Sequence, residues 1–197
     1  MKYQVYRGLR KILMAKVTIQ EGGTEQWGTW EEVAGLQTAQ VESSASEETI
    51  YFDNLPAIII TAEGATTYTL TMSVPSQEVR AKLDGRKWDS TKKAVLGTKV
   101  QKDYYAIGFV WGTNDGEEFI TVALKGKWGG GSKSYATEDS GTTHNTVQYT
   151  FTAVSTKSPV TFNGGAEPMS GYTLPTGDGN EAKYLAVGSK PVTNLTT

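Results

Sequence analysis

The chain of 197 residues contains no cysteine. That excludes a disulfide framework, a thiolate zinc site and a cysteine nucleophile, and it suits a protein matured in a reducing compartment. Histidine occurs once, at His144, inside the loop-like run DSGTTHNT. With no partner at a recognisable spacing it reads as an exposed loop residue, and a single imidazole removes most histidine-based metal sites. No apolar run approaches the roughly 20 residues needed to cross a bilayer. Met1 to Leu13 is basic but lacks the apolar centre of a secretory signal. The expectation is a soluble cytosolic product. Charge of one sign is also scarce: 19 Lys plus Arg stand against 21 Asp plus Glu, for a formal net charge of -2. That balance argues against electrostatic capture of nucleic acid, which needs clustered cations to displace counterions from phosphates.

What remains is a glycine- and threonine-rich chain with 38% hydrophobic residues, the composition of a mainly β globular protein. Strand-like alternation runs through Ile12 to Ile19, closed by Gly22 and Gly23, and more weakly through residues 33 to 41. Residues 42 to 54 (ESSASEETIYFDN) are polar and acidic, and Ile58 to Ile60 form a short apolar run. Tyr104 to Gly112 and Glu118 to Lys127 flank Asn114-Asp115-Gly116, the residues of a tight hairpin turn. Two strands carry a hydroxyl or amide face. In one, Tyr68, Leu70, Met72 and Val74 alternate with Thr67, Thr69, Thr71 and Ser73. In the other, Val147, Tyr149, Phe151 and Ala153 alternate with Thr146, Gln148, Thr150 and Thr152. One helix is expected over about 76–84: Pro75 ends the strand, Ser76 can cap, Val79 and Leu83 share a face, and Gly85 suits a left-handed terminus.

Catalytic patterns are weak, and no enzyme is expected. Gly126-Lys127 lacks the glycine five residues earlier that a phosphate loop needs, because that position is Thr121. WGGGSKS (128–134) reads as a flexible hairpin tip, and GDGNE (177–181) holds only part of a calcium-loop pattern. Glu31-Glu32 and Glu117-Glu118 are adjacent pairs that do not converge on one substrate. Neither a metal nor a cofactor is implied. Five tryptophans, at 27, 30, 88, 111 and 128, could stack on sugars or bases, although ordinary packing or subunit contact is the better reading of them. Residues 155–197 hold four of the six prolines and six glycines. They read either as a loose tail or as an arm ordered against a partner through Tyr172, Leu174, Tyr184, Leu185 and Val187.

The blocks GLRKILMAKVT, VESSASEETIYFDN, TYTLTMSVPSQEVRAKLDG, YYAIGFVWG, TVALKGKW and YATEDSGTTHNTVQYTFTAV follow one another between about residues 8 and 154. In that order they resemble the major tail proteins of long-tailed, non-contractile bacteriophages, the subunits of the tail tube. The resemblance implies an antiparallel β-sandwich or partly rolled β-barrel over residues 1–154 with one short flanking helix. Residues 155–197 would be an additional arm. It implies six subunits per ring and rings stacked into a hollow tube that conducts the genome to the host. The implied partners are further copies, the tape-measure, tail-terminator and distal-tail proteins, and double-stranded DNA in transient, non-specific passage; no membrane is involved. The implied locations are the virion tail and, during assembly, the host cytoplasm.

A bore must be wet yet must not grip phosphate, so the hydroxyl faces supply candidate bore residues: Thr67, Thr69 and Thr71, or Gln148 and Thr150. Candidate assembly contacts are Glu42, Glu47, Glu48, Tyr51 and Phe52 in the acidic segment, and Tyr172 and Tyr184 in the arm. Deleting residues 158–197 is then expected to leave a folded subunit that no longer builds long tubes. The alternative reading is a monomeric carbohydrate-binding β-sandwich that uses Trp27 and Trp30 at its surface.

Overall fold

A computed structural model describes residues 6–52, 55–97, 99–133 and 145–196; at 6–7, 45–52, 55–63, 133 and 178 it describes the backbone only. His144 lies outside the described residues. In chain order the strands are β1 (Tyr6–Ile19), β2 (Glu25–Trp27), β3 (Glu31–Ala34), β4 (Leu36–Phe52) and β5 (Leu55–Ser73). Helix α1 (Gln77–Asp84) follows, then β6 (Lys87–Asp89), β7 (Ala94–Leu96), β8 (Tyr104–Thr113), β9 (Glu118–Trp128), β10 (Ser132–Lys133) and β11 (Thr146–Ala153). The C-terminal part adds β12 (Val160–Phe162), β13 (Gly165–Glu167), β14 (Gly171–Pro175) and α2 (Asn180–Tyr184). The protein is mainly β, and its main sheet runs β2-β1-β8-β9-β11-β5-β4 with every neighbouring pair antiparallel.

The sheet forks along β9. Its C-terminal end pairs with β11 from Gly126↔Ala153 to Trp128↔Phe151, whereas its N-terminal half pairs with β14 from Phe119↔Pro175 to Ala123↔Gly171. At the fork β11 turns away with β5 and β4, so two layers face each other over one core. Ile12, Met14, Ile107 and Phe109 come from one layer; Leu70, Met72, Tyr149 and Phe151 come from the other. Among the described residues no closed barrel forms, because β2 and β4 end the order at opposite edges.

Helix α1 closes one side of this core. Ser76 has the extended backbone of an N-cap and its Oγ accepts from Val79 N at 3.4 Å; Gly85 stops the helix at φ 65°, ψ 33°. A β-carbon on Gly85 would sit 2.8 Å from Gln101 O, so glycine is required twice over. Leu83 is fully buried, a side chain worth about 1.5–3 kcal/mol of burial. That anchors a helix too short to be stable alone.

The acidic segment, which its sequence marks only as polar and assigns to no element, is a strand over residues 42–52: these belong to β4 and pair with β5 as far as Phe52↔Leu55. The C-terminal residues, for which composition offered a loose tail or a partner-ordered arm, lie on the sheet of their own chain. Val160, Tyr184 and Leu185 join Leu13, Val110, Val122 and Leu124 in a second core on the opposite face of β1, β8 and β9.

Candidate functional site

The two hydroxyl strands are neighbours, and their polar faces are one face. Thr67, Thr69 and Thr71 on β5 stand opposite Thr152, Thr150 and Gln148 on β11, and opposite Glu42, Gln40 and Thr38 on β4. Directly opposed residues project to the same side, so nine positions form a three-by-three patch. The intervening Tyr68, Leu70, Met72, Val147, Tyr149, Phe151 and Ala153 are buried beneath it. Glu42 is the only charged member, and its carboxylate accepts from Gln40 Nε2 at 2.8 Å. Thr67, Thr69, Thr71 and Thr150 are half-buried by their neighbours, while Gln148, Thr152 and Glu42 are exposed. Such a surface holds water through hydroxyls, and the nine positions themselves offer phosphate no cation; the nearest one on this side is Lys127 of β9, opposite Thr152 at the rim, with its ammonium 4.3 Å from the Tyr104 ring centroid.

Two of the three glycines at 129–131, Gly129 and Gly131, have a reason other than flexibility. A β-carbon on Gly129 would overlap Thr150 Oγ1, and one on Gly131 would press on the Tyr149 ring. Gly129 N donates to Thr150 O at 2.6 Å, so the chain lies flat against β11.

The outer edge of β4 is open: among the described residues no strand pairs with it over its 17 residues. Beyond Ser43↔Thr66 the β4–β5 hairpin also loses β11 and continues as a two-stranded ribbon from Ala45↔Glu63 to Phe52↔Leu55. Glu47, Glu48, Tyr51 and Phe52 lie on this ribbon opposite Thr61, Ile60, Pro56 and Leu55. Their side chains lie outside what is described.

Where the layers part, the inner faces enclose an open cleft of about 790 Å³. Ala39, Val41 and Tyr68 line it from one layer; Phe109, Trp111, Thr121 and Thr173 line it from the other. Trp111 stacks on Phe119 (4.7 Å, 21°) and donates from Nε1 to Thr121 Oγ1 at 2.9 Å; Thr121 and Thr173 hydroxyls are 3.0 Å apart. Val41 is 50% exposed on this wall. No lining residue is charged.

Tyr172 and Tyr184 are spent on packing within the chain. Tyr184 is 2% exposed and meets Tyr172 edge-on at 6.2 Å, and Tyr172 donates its hydroxyl to Val192 O at 3.0 Å. Burial of Tyr172, with Tyr184 beside it, pushes its hydroxyl well above the ordinary tyrosine range. This removes Tyr184 as a surface contact.

Two carboxylates hold the C-terminal segment down. The Glu25 side chain is fully buried and accepts from Lys125 Nζ (2.8 Å), Lys157 N (2.8 Å), Ser158 N (2.9 Å) and Ser158 Oγ (2.7 Å). Burial works to raise its pKa, but the Lys125 ammonium and the three segment donors outweigh it and hold the carboxyl at about 2. At the far end Glu181 accepts from Arg10 at 2.8 Å and Lys11 at 3.2 Å, while Arg10 also grips Glu118. The Arg10 hydrogen bonds keep the Glu181 carboxyl below its usual range. Lys11 sits at φ 57°, where β1 slips register between Arg10 and Ile12; the bulge aims its ammonium at Glu181 and at Leu185 O.

The tryptophans of the carbohydrate alternative face inward. Trp30 is 1% exposed and donates to Tyr184 O at 3.1 Å; Trp27 is half-buried and donates to Leu124 O at 2.8 Å. Trp30 therefore offers no ring face to a sugar. Among the described residues no group of three or more acidic or histidine side chains could hold a metal ion, and no helix is long and apolar enough to cross a membrane. Comparison with protein-family models and with curated proteins gives no match to this chain.

Proposed function

We propose that this protein is a structural subunit that self-assembles into six-membered rings stacked as a hollow tube, the tail tube of a long-tailed bacteriophage, through which the genome passes to the host. The observation that carries the reading is the pairing of two properties on one sheet: a nine-residue polar face with a single charge, and a β4 edge that no strand among the described residues covers over 17 residues. A long open edge is a liability in a monomer, and a closed ring removes it by joining sheets side by side. Joined that way around an axis, the hydroxyl faces form a continuous wall.

That wall suits DNA in transit. Hydroxyls and amides satisfy water, and the charges on this side, Glu42 within the patch and Lys127 at its rim, are one of each sign and make no cluster of cations for phosphate. The sequence resemblance supplies the six-fold count, the tape-measure, tail-terminator and distal-tail partners, and the placement in the virion tail. No observation favours the carbohydrate-binding alternative, since Trp30 is enclosed and Trp27 half-enclosed. Negative-stain microscopy of the concentrated protein tests the proposal: rings or tubes are expected, and a monodisperse monomer at every concentration refutes it.

A further inference from the structure

We infer that the tip of the β4–β5 ribbon of one copy docks in the uncharged cleft of the next, a specific contact that rests on the self-assembly reading above. The ribbon needs a partner. From Ala45 to Phe52 it is two strands wide among the described residues, and a two-stranded hairpin is marginal in water without a third strand or a packed face. Its tip is apolar by sequence: residues 49–62 include Ile50, Tyr51, Phe52, Leu55 and Ile58 to Ile60, with Asp53 the only charge.

The cleft needs an occupant in the same way. It is the unfilled end of the sandwich core, walled by half-exposed Val41 and by Trp111 over buried Tyr68 and Phe109. In a chain that is 20% charged, none of its lining residues is charged. An apolar tip with one charge and a cleft with none match each other, whereas a charged partner would be desolvated there without compensation.

The tip cannot fill the cleft of its own chain. Ser43 and Thr66 line the cleft and also form the base of the ribbon. The ladder then runs on for eight residues of β4 and nine of β5, which at 3.4 Å per residue puts about 27 Å of strand between the base and the tip. The contact is therefore between copies and head-to-tail: each subunit offers a ribbon to one neighbour and a cleft to another. Such heterologous contacts propagate into a ring or a stack.

The absence of native cysteine makes the test direct. Val41→Cys protein is mixed with Ile58→Cys, Ile59→Cys or Ile60→Cys protein under assembly conditions and mild oxidation. The expected result is a disulfide-linked heterodimer as the main product, with Ile58→Cys and Ile60→Cys alike and Ile59→Cys opposite, because strand faces alternate. Val187→Cys, exposed and outside the cleft lining, should cross-link to none of them. Val41→Arg should keep the wild-type circular dichroism and thermal midpoint yet fail to assemble, while Val41→Ile assembles. Rings or tubes without cross-links at Val41 would overturn this contact and leave the self-assembly proposal standing. Absence of any assembly in the wild type would overturn both, and a cross-link closing within one chain would overturn the head-to-tail geometry.

Discussion

Replacing Glu25 with glutamine removes the charge from a fully buried carboxylate and leaves Lys125 Nζ, only 15% exposed, without its counter-ion. The magnitude follows from the titration. A carboxyl with an ordinary pKa of 4.5 in the unfolded chain and about 2 in the folded one contributes about 3 kcal/mol at neutral pH. Breaking a buried ion pair from one side typically costs about 3–5 kcal/mol, which agrees. For a chain of this length each kcal/mol moves the thermal midpoint by roughly 2–4 °C, so Glu25→Gln should lower it by about 6–12 °C at pH 7. The sign of the pH dependence is fixed by the depressed folded pKa. The contribution is complete above about pH 4.5 and is lost as pH falls towards 2. The difference between wild type and variant should therefore shrink over that window and nearly vanish at its acid end. Thermal unfolding by circular dichroism at pH 7, 4 and 2.5 checks this. An equal loss at all three pH values, or a loss below about 1 kcal/mol at pH 7, would show that the four donors around Glu25 do not hold it as described.

Other perturbations separate packing from assembly. Lysines at Thr69 and Thr71 put two cations per subunit on the hydroxyl face; tubes should still form, genome delivery should slow or stop, and normal infectivity would remove this face from the bore. Leu185→Ala empties the socket over Gly108 and beside Trp30; a core truncation of this kind costs about 2–5 kcal/mol. Limited proteolysis should then cut within residues 155–196 while the sandwich stays protected. Arg10→Ala breaks a network whose arginine is 44% exposed, so the loss should stay below about 1 kcal/mol and fade in high salt. Deletion of residues 158–197, expected from the sequence to be an assembly lesion alone, should instead bare Leu13, Val110, Val122 and Leu124 and yield an aggregating chain; a soluble, cooperatively folded truncation would contradict the second core.

Local chemistry was the legible part of this fold. Ser76, the Val79–Leu83 spacing and Gly85 announce α1 because caps and helix faces are set within a few residues. The hydroxyl strands and the Asn114-Asp115-Gly116 hairpin are visible for the same reason. What depends on pairing is not visible. That Thr69 faces both Thr150 and Gln40 is a matter of register between distant strands. The serines and glutamates of residues 42–48 have poor strand propensity, and only the ladder to β5 makes them a strand. The C-terminal strands are three to five residues long, too short for periodicity to show. Tryptophan identity alone does not say which rings are covered: Trp30 lies under α2, whereas Trp111 lines the cleft.

The central claim is that sheets join around an axis with the hydroxyl face inward. Cryo-electron microscopy of the assembled protein measures this most directly. The account predicts rings of six in which Thr67, Thr69, Thr71, Gln148 and Thr150 line a water-filled bore; an assembly with these residues on its outer surface, or a bore lined by the C-terminal segment, would contradict it.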